Sequence, residues 1–234
     1  MGCVNSKQQS ERKKAFENNS PDKAISEPSL NKKVKIGIIF YSTYGHCHKL
    51  AEKIAEGAKS VGADVEIRRV AETLPDEVVE KMGGVEARKA WMSLPVATPE
   101  DLTRYDAIAI GGPTRFGLPS AQLKTFFDSL GGLWMKDALV GKHATVFGCS
   151  SSQHGGNEMN LIMTMIPLFH LGYAVVGLPY SFKGQSETKE IVGGSPYGMT
   201  TVSLNNQKDP KAIELEGAHF QGKHLVEVMT KKPV

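Results

Sequence analysis

Ser42, Thr43, Tyr44, Gly45, His46 and Cys47 follow one another between an apolar run and a helical pattern. Such a stretch can hold an anion. The N–H groups that open a helix have no partner inside it, and the helix dipole is positive at that end. Hydroxyls and free N–H groups at one point make a phosphate cradle. The stretch has neither the Gly-x-Gly-x-x-Gly of a dinucleotide fold nor the Gly-Lys-Ser/Thr of a P-loop. Without a lysine, the cradle suits the monophosphate of a flavin better than a transferring triphosphate. An ordinary strand-to-helix turn with a serine cap would leave the same trace.

Two further loops have the same setting. Gly111 to Ser120 follows an apolar run and precedes a helical pattern. Pro113, Thr114, Phe116 and Gly117 in this loop offer backbone amides and a wall for a flat aromatic ring. Arg115 adds a fixed positive charge beside such a ring, or else a surface ion pair. Cys149, Ser150, Ser151, Ser152, Gln153, His154, Gly155 and Gly156 form the third loop. Trp134 reads equally well as a pocket wall or a core residue. His170 stands near a helix end before Gly172, where a histidine commonly complements the dipole.

The elements that must position these loops follow from apolar periodicity. Ile36, Ile38, Ile39, Phe40 and Tyr41 make a nearly continuous run, as in a strand covered on both faces. Leu50, Ile54, Ala58 and Val61 give a helix. Val65, Ile67 and Val70 predict a second strand, and Glu77 to Lys81 a short helix ended by Gly83 and Gly84. Residues 85–98 are less regular, with Trp91 and Met92 as core or oligomer contacts. Thr98 caps a turn at Pro99, and a third strand runs from Ala107 to Ile110. A helix carries Leu123, Phe126, Phe127 and Leu130. A fourth strand spans Ala144 to Gly148. A long helix with Leu161, Ile162, Met165, Ile166, Leu168 and Phe169 is interrupted at Pro167. Tyr173 to Val176 is a fifth strand, and a glycine-rich segment reaches Gly198. Residues 209–230 form the last helix, with Ala212, Leu215, Ala218, Leu225 and Val228 inward. This order predicts an α/β fold, a doubly wound parallel sheet of five strands. The three loops would share its carboxyl edge.

The net charge is +3. Residues 1–33 hold seven basic and four acidic side chains, which accounts for the whole excess. The neutral body argues against a nucleic-acid surface. No run approaches the roughly 20 apolar residues of a membrane span. Three cysteines are too few for a disulfide framework and fit a reducing compartment. No spacing of histidines and cysteines suggests a metal. Residues 1–33 are polar and aperiodic and read as disordered. Met1-Gly2-Cys3-Val4-Asn5-Ser6-Lys7 fits the signal for acylation of Gly2, with Cys3 available for a second chain. Lys7, Arg12, Lys13 and Lys14 would add electrostatic attraction to an anionic leaflet. This start resembles the dually acylated N-termini of Src-type kinases and some G-protein α subunits.

YSTYGHCHKLAEKIAEGA resembles the flavin-phosphate loop of WrbA-like, flavodoxin-fold NAD(P)H:quinone oxidoreductases. GGPTRFG, KTFFDSLGGLW and GG-x-PYG resemble further motifs of that family, and the likeness spans roughly residues 34–232. It implies one flavodoxin-like, FMN-binding domain behind the tail. FMN would be held by Ser42–Cys47, Pro113–Gly117, Cys149–Gln153, Gly155 and Gly156. Trp134, Tyr44 and His170 would line the substrate pocket, His170 reaching the flavin site of a neighbouring subunit. The implied activity is two-electron, ping-pong reduction of quinones by NADH or NADPH, in a tetramer. The chain departs from the family at Ser151, where glycine is usual, at His154, and at Val192, where arginine is usual. Serine would be strained at position 151 if the backbone there needs positive φ. A flavodoxin-type one-electron carrier and a membrane-anchored scaffold are the competing classes.

Overall fold

The computed structural model describes residues 33–187 and 189–230. Strand β1 (Lys35–Phe40) leads into helix α1 (His46–Ser60), and β2 (Asp64–Arg69) follows. Short helices α2 (Asp76–Lys81), α3 (Val85–Arg88) and α4 (Pro99–Arg104) precede β3 (Ala107–Arg115) and β4 (Leu118–Pro119). Next come α5 (Ala121–Asp128), α6 (Gly131–Trp134), β5 (His143–Ser150) and α7 (Asn157–His170). Strands β6 (Ala174–Val175) and β7 (Thr200–Val202) precede the last helix, α8 (Ala212–Thr230).

Five parallel strands run in the order β2-β1-β3-β5-β6, as expected for a flavodoxin-like, doubly wound sheet. Alternate side chains of each strand face opposite layers. Ile36, Ile38 and Phe40 pack with Leu50 and Ile54 of α1 and with Ala218 and Leu225 of α8. Ile39 and Tyr41 pack with Leu123 and Phe126 of α5 and Leu161 and Leu168 of α7. Helices α1 and α8 cross closely because Gly57 and Gly222 face each other's backbone. A Cβ at either would collide with His219 or Ile54 main-chain atoms.

Several expectations need correction. The third strand continues through Gly111-Gly112-Pro113-Thr114 to Arg115, because Gly112 and Pro113 pair with Gly148 and Cys149 of β5. Helix α7 runs through Pro167 to His170, since a proline one turn from the end removes a single ladder bond. The fifth strand is only Ala174–Val175, and β7 pairs with β5 further along the same edge. Between them Gln221 substitutes for a strand: its Nε2 donates to the Val146 carbonyl at 2.8 Å, and its Oε1 accepts from Met199 N–H at 2.7 Å. Helix α8 starts at Ala212 rather than at residue 209. Ala212 and Val228 face outward, while Glu214, Gln221 and Val226 are buried. Val61 lies beyond α1 and is exposed. Trp91 is core and Met92 is exposed.

A polar network ties the layers together. Glu72 accepts from Tyr41 Oη (2.8 Å), Gln122 Nε2 (2.6 Å), and the Thr73 and Leu74 N–H groups, and pairs with Arg88 (3.2 Å). Burial pushes its carboxyl up, but these bonds outweigh burial and hold it below the usual range. Asp101 is likewise depressed, burial being outweighed by Thr98, Arg104 and Arg68. Depressed carboxyls stabilise the fold above their unfolded values, about 4. That stability is lost as pH falls through their lower folded values. The urea midpoint is therefore expected to fall steadily below about pH 4, and to fall less in Glu72→Gln, which starts lower.

Candidate functional site

Helix α1 begins at Gly45, whose φ is +96°. Glycine adopts this conformation without the penalty a side chain would bring. Gly45 N–H donates to Ser42 Oγ at 3.0 Å, which folds the turn back on itself. No side chain caps α1, and its first turn has no acidic residue. Its opening N–H groups and positive dipole end are left for an anion. Beneath the turn lies a ring cluster in which His48 packs on Trp91 at 5.1 Å and on Phe40 at 5.3 Å.

The turn forms one wall of a cavity of about 250 Å³. Ser42, Thr43, Tyr44 and His46 come from this turn, Pro113, Thr114 and Arg115 from the end of β3, and Cys149, Ser150 and Ser151 from the end of β5. The three loops therefore meet, as their common sheet edge requires. Arg115 crosses the junction: Nη2 donates to Thr43 Oγ1 at 3.1 Å and Nη1 to the Thr114 carbonyl at 3.0 Å. Among the described residues, no carboxylate lines the cavity. Hydroxyls, a helix N-terminus and one guanidinium suit an anionic group. The residues present thus fit the phosphate of a flavin nucleotide.

Not every expected residue lines this cavity. Gly45 and Cys47 lie behind its wall, Cys47 fully buried. Phe116 and Gly117 form the tip between β3 and β4, where Phe116 is fully exposed at φ +55°. Ser152, Gln153, Gly155 and Gly156 also lie off the lining. Gly156 instead packs on Gly117, where a Cβ would come within 2.9 Å of the Gly117 Cα. Ser151 is not among the residues at positive φ, so the expected strain is absent. Trp134 and His170 line a second cavity, of about 560 Å³, with Leu118, Phe127, Ile166 and Leu171. None of the residues lining this second cavity lines the first.

The structure adds Met82, Ser203 and Asn206 to the first cavity. Leu204, Asn205 and Asn206 are all left-handed, at φ 46°, 58° and 63°. Three successive non-glycine residues in this region are unusual, and such backbone gathers at functional sites. Ser203 N–H and Asn205 N–H donate to the carbonyls of Ser150 and Ser151, fixing this turn against the third loop. His46 Nε2 donates to the Lys208 carbonyl at 2.9 Å and closes the circle. The Asn205-Asn206 pair was the available signal, since asparagine tolerates left-handed backbone.

Residues 34–187 match the model of the family described as NADPH-dependent FMN reductase. The chain belongs to that family. A Geotalea uraniireducens protein named NAD(P)H dehydrogenase (quinone) is 48% identical over 200 residues, covering 85% of this chain and 98% of its own length. A Methanosarcina barkeri protein of the same name is 48% identical over 204 residues, with the same coverage. The flavodoxin-like, WrbA-like protein of Agrobacterium tumefaciens superposes with a TM-score of 0.58 at 22% identity, over 84% of this chain and 97% of that one. An archaeal flavodoxin gives 0.54 at 16% identity, over 85% and 100%. These two structures show the shared fold. Within this FMN reductase family, the turn at Ser203–Asn206 lies outside the matched segment although it walls the cleft.

Proposed function

We propose that this chain is an FMN-dependent NAD(P)H:quinone oxidoreductase. The observation that carries this reading is the carboxylate-free cleft at the carboxyl edge of the sheet, crossed by Arg115. The names of relatives nearly half identical over almost their whole length support it. Bound FMN would supply hydride-accepting and two-electron-donating chemistry, linking NADH or NADPH to a quinone.

The chain positions and shields. Ser42, Thr43 and the N-terminus of α1 would hold the phosphate. Pro113 and Thr114 would border the ring, and Arg115 would place a permanent charge beside it. Ser150, Ser151, Ser203 and Asn206 close the opposite wall. A cavity of about 250 Å³ is small for a complete flavin nucleotide. A flavin ring would therefore need a further cover beyond these residues. Trp134 and His170 lie in the other cavity, bordered by exposed Leu118 and Ile166. An exposed apolar patch of this kind is a contact surface. In our reading it covers the flavin ring of a neighbouring copy within a tetramer.

In this reading the domain occupies residues 34–232, of which the described part ends at 230, and the proposed acylation sites Gly2 and Cys3 lie outside the described residues. Acyl chains at both, with the basic cluster, would hold the enzyme at the cytoplasmic face of a membrane. Lipid-soluble quinones concentrate there. Full-length protein is expected to bind one FMN per chain, seen as quenching of flavin fluorescence. A protein that fails to quench FMN at micromolar concentration would favour the scaffold reading.

Trp134→Ala is expected to raise KM for quinone about tenfold or more, equivalent to ~1.4 kcal/mol of lost contact, with FMN content unchanged. Steady-state kinetics beside flavin absorbance decide this. Equal loss of flavin and turnover would move Trp134 to the cofactor itself.

A further inference from the structure

Two thiols meet directly behind the cleft. Cys47 sits in the first turn of α1 and Cys149 near the end of β5, 102 residues apart in sequence. The Cys47 Sγ–H donates to Cys149 Sγ at 3.3 Å. Both are free and buried. Their exposure differs in a useful way: Cys47 is wholly enclosed, whereas Cys149 lines the cleft. Strand pairing on both sides fixes Cys149, opposite Pro113 of β3 and Thr201 of β7. A disulfide needs its sulfurs about 2.05 Å apart, so about 1.2 Å remains to close. Burial and the bond to Cys149 push the Cys47 thiol well above its usual range, so it rests protonated.

We propose that Cys47 and Cys149 form a peroxide-oxidisable dithiol reached only through the cofactor cleft, so that bound FMN shields it. The shielding half rests on the cofactor reading above, and the dithiol half does not. The Cys149 sulfur attacks the outer oxygen of a hydroperoxide, and the Cys149 proton passes to the leaving oxygen. The O–O bond breaks, the alcohol or water leaves, and Cys149 becomes a sulfenic acid. Cys47 sulfur then attacks Cys149 sulfur. The S–S bond forms, the S–O bond breaks, and the Cys47 proton leaves with the hydroxide as water. Two thiols thereby lose two electrons and two protons, and one hydroperoxide is reduced. The product ties the phosphate turn to the end of β5, and a flavin-free chain would carry this mark of oxidative exposure while a loaded one would not.

The test uses the full chain with Cys3→Ser, which leaves Cys47 and Cys149 as its cysteines. The protein is freed of flavin, treated with hydrogen peroxide, denatured, and its thiols titrated. Both thiols should disappear, with a Cys47–Cys149 cross-linked peptide found by mass spectrometry and reversed by dithiothreitol. In Cys47→Ser, dimedone should label Cys149. In Cys149→Ser, Cys47 should stay a thiol. Saturating FMN should slow the loss at least tenfold. Two persistent thiols in the flavin-free chain, or disulfides only between chains, overturn the dithiol. Equal rates with and without FMN, when fluorescence shows FMN bound, overturn the shielding alone. If FMN does not bind, shielding falls together with the cofactor reading, and the flavin-free arm still decides the dithiol.

Discussion

Gly45→Val is expected to weaken FMN binding at least about 100-fold, which is ~2.8 kcal/mol. Gly45 begins α1 at φ +96°, where a β-branched residue is strained whatever space surrounds it. A Cβ there would stand 3.5 Å from the Trp91 ring, so the penalty comes from the backbone conformation rather than from a clash. The turn has to rotate, and rotation carries the N–H groups of α1 away from the phosphate. The affinity is measured by quenching of FMN fluorescence. Near-ultraviolet circular dichroism and Tm are measured alongside, because the substitution also lowers stability. A folded variant with unchanged FMN affinity would remove this turn from the site. His46→Ala should act in the same direction but more weakly, since His46 reaches the Lys208 carbonyl rather than closing the turn.

Gly2→Ala is expected to move the protein from the membrane fraction to the soluble fraction almost completely. It removes the proposed acceptor of a first acyl chain, and a single myristoyl chain already binds only marginally. Cys3→Ser should release the protein partly, leaving one chain and Lys7, Arg12, Lys13 and Lys14 to hold it. Raised salt should then detach Cys3→Ser but not the wild type. Screening weakens the basic contacts and leaves a buried chain untouched. A wild-type protein that fractionates as soluble, with an unmodified Gly2 in its mass spectrum, would end the anchoring reading.

The sheet was legible because β1, β3 and β5 are buried on both faces and so carry unbroken apolar runs. The two loops that most define the cleft were legible for a related reason: each follows such a run and ends in a helix start. What escaped was set by tertiary contact. Gly111 to Pro113 looks like a turn, yet it pairs with β5, and the two glycines fit where Phe147 and Leu123 crowd the backbone. Thr200 to Val202 is too short to stand out, and its pairing with Gly148 to Ser150 depends on the end of β5 being free. Ser203 to Asn206 enters the cleft through that pairing, and the Asn205-Asn206 pair is the local trace it leaves. Trp134 and His170 line a separate cavity, and periodicity carries no trace of which loops meet in space.

The central claim is most directly tested by following the flavin absorbance of the FMN-loaded protein through two separate anaerobic half-reactions. NADH or NADPH alone should bleach the oxidised flavin band, and a quinone added afterwards should restore it, each step at least as fast as steady-state turnover. A flavin band that stays oxidised with both nicotinamides, or that stays bleached in the presence of excess quinone, would contradict the account.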